Sequence, residues 1–443
     1  MRQAEGGTAP LSSVTRRSID RRTQASARWR LQWLLAAPHR LAFFAAALVF
    51  SASALWWAAV WLLALAGLAP PPWAVSRSLA HALLMSLGFM PLFFAGFLFT
   101  AGPRWLAARE VAAAALAGPV LAMLAGWSVF VCGVHTAAPL AAIGLAAVAW
   151  GFTGLARRFW QMLRASRTPD RSHARVIALA LGVGVAALWG AALALLSGRE
   201  EVVRAALQLA LWGGIATVFA TVAHRMIPFF GSSALPSVDA RWPQWLLWTF
   251  VAVLGLEALL GAAEALVWPL PAALRGAQAL FEAPVALLLV GSAARWILVA
   301  GQRQHLRQRL LAMMYVGFAW FGVSLALSAA SHALQAATGG ARSLGLAPLH
   351  AFTMGFLGSL LMAMATRVSC GHGGRVHAAD DFAWRLFWLL QVSVLLRLLA
   401  ALWLPAQEVA TGLAACAWAG CAVAWALRYG RWFGTPRADG RPG

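Results

Sequence analysis

The sequence predicts an all-α membrane protein, a bundle of about 12 transmembrane helices with both termini cytoplasmic. Three observations predict it. Of the 443 residues, 61% are hydrophobic and only 11% are charged, which is more apolar surface than a soluble domain of this size can use. The apolar residues fall in runs of about twenty, the length that crosses a bilayer core of about 30 Å as a helix. The basic residues fall in alternate connections between those runs, which is a topology signal.

Residues 1–40 precede the first run and carry Arg16, Arg17, Arg21, Arg22, Arg28 and Arg30. They contain no apolar h-region, so they read as an unstructured cytoplasmic tail and not as a cleaved signal peptide. Trp29 to Trp33 can form an amphipathic surface segment. The apolar runs follow at 41–67, 79–101, 106–130, 137–158, 175–197, 202–224, 243–263, 277–299, 310–337, 346–368, 382–404 and 408–428. The membrane domain therefore covers 41–429, and 430–443 form a second cytoplasmic tail. The 24 tryptophans suit membrane interfaces.

The formal net charge is +21 and the chain has no lysine, so its positive charge is carried by arginine. Connections after the odd-numbered runs hold few: Arg77, Arg199, Arg204, Arg275 and Arg342. Those after the even runs are dense, with Arg157, Arg158, Arg164, Arg167, Arg171 and Arg175 after the fourth alone. The positive-inside rule then places both termini in the cytoplasm. No basic face is gathered on a soluble domain, which argues against nucleic acid as a partner. Cys132, Cys370, Cys416 and Cys421 show neither a metal-type pair spacing nor a disulfide framework.

With sidedness assigned, the histidines sort by leaflet. His81 opens the second run at its outer end, His332 closes the ninth there and His350 opens the tenth. Imidazole is the commonest ligand of haem iron, copper and zinc, and helical bundles build such sites from side chains on different helices. A single histidine at a helix end is more often a hydrogen-bonded interfacial residue; three on one side suggest a ligand site. Met354 lies one turn below His350, and Gly355 and Gly358 admit a close neighbour, whether a helix or a flat macrocycle. His39, His173 and His305 fall in arginine-rich connections.

Glu257, Glu264 and Glu282 lie in or near the outer halves of the seventh and eighth runs. A carboxylate within a membrane is costly and serves as a proton carrier, an ion ligand or a charge partner. On the inner side, His224-Arg225-Met226-Ile227-Pro228-Phe229-Phe230 ends the sixth run, and Arg367 through Gly371-His372-Gly373-Gly374-Arg375 ends the tenth. His350 and His372 are 22 residues apart, or about 33 Å along a helix, so they face opposite sides. Glycine-rich turns with arginine and histidine donors bind anions, while a positive-inside anchor is the simpler role for Arg375.

These segments resemble the NnrS family, multi-spanning proteins linked to the bacterial response to nitric oxide. The match in the tenth run comprises His350, Gly355, Met364, Arg367, Val368, Gly371, His372, Gly374 and Arg375. Gly88-Phe89, Ala95-Gly96-Phe97-Leu98, Thr100-Ala101, Pro103 and Trp105 in the second run, Ile227-Pro228-Phe229-Phe230 and Gly317, Ala319 and Trp320 also match. The resemblance implies about twelve spans in the bacterial inner membrane, bound haem and copper, and a small gas such as NO or O₂ as ligand. It does not supply an agreed reaction. The family's second span begins His-x-His-Glu-Met; this chain has His81 followed by Leu83, Leu84 and Met85. A ninth-span histidine is replaced by Tyr315. What remains implies one haem, held by His81 and His350 with His332 as a third candidate, and anionic groups met by Arg367, His372 and Arg375. Two other classes remain open: a proton-coupled transporter built on Glu257 and Glu282 without a redox centre, or a scaffold subunit of a respiratory or denitrification complex.

Overall fold

A computed structural model describes residues 28–234, 241–302, 308–376 and 378–441, with the side chains of 232–234 and 299–302 excepted. The expected N-terminal tail falls mostly on 1–27, outside the described residues, as do His305 and His377. Among the described residues, twelve helices are long and apolar enough to span a membrane. They are α1 (Pro38–Leu65), α2 (Arg77–Trp105), α3 (Ala113–Thr136), α4 (Ala138–Ala165), α5 (Ser172–Leu196) and α6 (Glu200–Gly231). The second half comprises α7 (Gln244–Leu266), α8 (Ala272–Leu298), α9 (Arg309–Thr338), α10 (Ala347–His372), α11 (Asp381–Leu402) and α12 (Leu404–Phe433). Each expected run is one helix, and no strand occurs among the described residues.

Local chemistry sets where the helices start and bend. Pro38 occupies the first turn of α1, where its missing N–H costs nothing. Pro91 cannot donate to the carbonyl of Leu87 and crowds it, so α2 breaks at 88–89 into Arg77–Leu87 and Met90–Trp105. Two spans contain a wider π-helical stretch, Leu209–Ala216 in α6 and Ala351–Gly358 in α10. These stretches meet through Trp212 and Phe352, whose ring centroids are 4.6 Å apart.

Neighbouring spans pack most closely where glycine removes the side chain. At Gly133 of α3, an added Cβ would lie 2.1 Å from the backbone nitrogen of Ala141 in α4, so the two backbones are in direct contact. The helices differ in depth. In α2, α6 and α10, 78%, 83% and 83% of the most apolar stretch is buried, against 33% in α1. These three are therefore the interior helices, and they carry His81, His224, Arg225, His350, Arg367 and His372. The two ends of the described chain meet: Arg30 N–H donates to Gly434 O at 2.9 Å, and Trp29 Nε1–H to Gly430 O at 3.3 Å.

Candidate functional site

The singled-out residues fall into three separate groups. The first joins α1, α2, α10 and α11. His81 is half-buried and lies flat on Trp57 of α1, with ring centroids 3.9 Å apart. Its Nδ1 is fully enclosed and has no hydrogen-bond partner. His350 is 8% exposed and its Nδ1 lies 2.8 Å from Leu346 O. A carbonyl only accepts, so this contact puts the hydrogen on Nδ1 and leaves Nε2 as the lone-pair nitrogen. His81 and His350 lie within electrostatic reach of each other and of Arg397 of α11. The arrangement offers two imidazoles from two interior helices.

The second group joins α7, α8 and α9. His332 Nδ1 lies 2.9 Å from Glu282 Oε2 and 3.1 Å from Oε1. Glu257, Glu282 and His332 each present a ligand atom within 4.8 Å of the others. Arg275, next along α8, is ion-paired with Glu264 and donates to Gln278 Oε1 at 2.7 Å. His332, expected beside His81 and His350, thus makes its hydrogen bonds to carboxylate.

The third group lines a cavity of about 1310 Å³ at the opposite end of the bundle. Arg104, Arg225, Arg241, Arg367 and Arg437 line it, with His173, His224 and His372; aromatic walls come from Phe97, Trp105, Phe229, Phe230 and Trp242. Asp170 is the one acid in the lining among the described residues. The backbone N–H of Ser172, 3.0 Å from Asp170 Oδ1, is the main reason its carboxyl is held below the usual carboxylate range. Among the described residues, Arg104, Arg225, Arg241 and Arg367 have no carboxylate within ion-pair distance; Arg367 lies over the ring of Phe230 at 4.0 Å. The cavity is therefore strongly positive and suits an anion with an apolar body. Arg375 lies outside this lining, stacked over Trp432 at 4.0 Å with Nη1 donating to Gly373 O at 3.2 Å. Tyr315 is buried near the N-terminal end of α9, its ring 6.0 Å from that of Trp296.

Two histidines expected in connections are instead buried in helix first turns, because α1 and α5 start a few residues before their apolar runs. His39 lies 4.6 Å from His372, centroid to centroid. His173 Nε2 is 2.9 Å from His224 Nδ1. Arg397 was missed altogether, although an arginine inside the run Val394-Leu395-Leu396-Arg397-Leu398-Leu399 was a visible signal. Trp57 carried no such signal, since one indole among 24 tryptophans does not stand out.

A family model described as NnrS protein matches residues 33–437, nearly the whole chain. A comparison with curated proteins finds no match.

Proposed function

Because this chain belongs to the NnrS family, we propose that it is an inner-membrane protein that holds haem at His81 and His350 and takes part in the bacterial response to nitric oxide. The observation that carries this reading is the pair itself: a half-buried and a buried imidazole on separate interior helices, the buried one, His350, with its Nδ1–H committed to a carbonyl. That commitment is the arrangement of a metal-ligating histidine, because it fixes the tautomer and ring orientation and leaves Nε2 to donate. The enclosed, unpartnered Nδ1 of His81 also fits, since a buried polar atom without a partner calls for an occupant. Haem, when bound, supplies an iron that takes up NO or O₂ or passes an electron.

The chain's own residues have defined tasks in this reading. Trp57 holds the His81 ring by stacking, and Leu346 O holds that of His350. Arg397 supplies a positive charge beside the pair, which suits an anionic ligand or propionate. The surrounding apolar helices exclude water. Copper, which family membership also implies, would find the same imidazoles acceptable. With Leu83 and Tyr315 at two family ligand positions, the reading is limited to one haem or copper centre. Arg225, Arg367 and His372 receive anionic groups in the inner cavity.

The test is an absorption spectrum of the detergent-purified protein, expressed with adequate haem supply. A Soret band is expected in the wild type, and its loss or shift in His81→Ala and His350→Ala. A wild type without a Soret band ends the haem reading.

A further inference from the structure

The second polar group buries two carboxyl side chains beside one imidazole, with an acceptor oxygen left over. Glu282 is 0% exposed and Glu257 is 7% exposed, both in helices that span the membrane. Glu257 Oε1 has no hydrogen-bond partner, and it lies within a cluster whose other members are Glu282 and His332. Two carboxylates presenting oxygens within 4.8 Å of each other are both acceptors. Only a shared proton or a cation makes such an approach favourable in a low-dielectric interior. The nearest guanidinium does not fill that role. Arg275, 3% exposed, has its ion pair with Glu264 and its other hydrogen bond with Gln278.

We infer that Glu257, Glu282 and His332 hold a divalent first-row metal ion, at a site distinct from the His81–His350 pair. Two carboxylates and one imidazole form a hard-to-borderline donor set. It suits Zn²⁺, Mn²⁺ or Fe²⁺ and not Cu⁺, which prefers thiolate and thioether sulfur. The three ligands come from α7, α8 and α9, so the ion ties three spans together. Three protein donors also leave a coordination position for water or a small ligand. The Gln278–Arg275–Glu264 chain of contacts continues from the cluster towards the α7–α8 connection. His332 ligates as neutral imidazole, with the hydrogen now directed at Glu282 moved to its other nitrogen.

The inference does not rest on the haem reading, and one preparation tests both independently. The full-length protein in detergent is stripped with a chelator and titrated with Zn²⁺, then with Co²⁺ as an optical probe. The wild type is expected to bind about one ion per chain at this site, with visible Co²⁺ bands and a higher melting temperature on loading. Glu257→Gln, Glu282→Gln and His332→Ala should each weaken binding at least tenfold. His81→Ala and His350→Ala should leave it unchanged, whatever happens to the Soret band. Glu257→Gln preserves side-chain shape, and size-exclusion chromatography confirms its fold. A wild type that takes up no ion would overturn the inference and leave a proton shared between the carboxylates. Equal uptake by wild type and the three cluster variants, or loss of this ion in His350→Ala, would overturn it as well.

Discussion

At the residue scale, Gly355 is tightly constrained close to His350. A Cβ there would lie 2.6 Å from the ring of Trp320. That ring cannot easily move: Trp320 Nε1–H donates to Gln391 Oε1 at 2.8 Å, and Gln391 Nε2–H donates to Ser359 Oγ at 2.9 Å. The chain of bonds joins α9, α11 and α10, so displacing the indole breaks contacts on all three. Gly355→Ala is therefore expected to destabilise the protein by about 1–3 kcal/mol, read as a lower melting temperature in detergent. Adding Trp320→Leu in that background should recover part of the loss, because the clash is gone; strict additivity of the two changes would show that they do not interact. Gly355 was legible in the sequence as a point of close approach. Its partner was not, because nothing along the chain tells which of many aromatic rings the topology will bring to it. The histidines follow the same rule. Leaflet assignment placed His81 and His350 near one another, yet His332 took a carboxylate partner, because sharing a leaflet leaves the facing of each side chain undetermined.

At the scale of elements, the twelve spans were readable because bilayer thickness fixes their length and apolar composition marks them. The π-helical stretch Ala351–Gly358 was not, since no residue pattern separates it from ordinary α-helix. Such a stretch accommodates one residue more than an α-helix of the same height. Deleting one residue inside it can therefore restore α geometry while leaving both flanks in register. Beyond the stretch, each deleted residue rotates one flank against the other by about 100°. Those flanks are tied down separately: Trp425 of α12 donates to Thr366 Oγ1 at 3.1 Å, and Leu344 N–H, just before α10, donates to Ser331 Oγ at 3.1 Å. Deletion of Thr353 is thus expected to give a monodisperse protein that keeps its Soret band. Deletion of Met362, in the regular part of α10, should lose both. Equal damage from the two deletions would show that the π stretch does not absorb the extra residue.

Across the whole molecule, the contacts of Trp29 and Arg30 with Gly430 and Gly434 put both described ends at one end of the bundle, as an even number of spans requires. The basic cavity opens among segments of that same end: the close of α2, α6 and α10, and the start of α5 and α7. Which side of the membrane this end faces is set by charge. Arginines in short connections are retained on the cytoplasmic side during insertion, and the even connections carry most of the arginines near the spans. An inverted chain would have to pass all of these across. The end with both termini is therefore expected in the cytoplasm. A fluorescent protein fused after Gly443 should fluoresce, and alkaline phosphatase fused there should be inactive. Phosphatase fused within 267–271, between α7 and α8, should be active. The opposite pattern would turn the bundle over. The His81–His350 pair and the Glu257–Glu282–His332 cluster would then face the cytoplasm and its reductants, and the arginine-lined cavity would face outward.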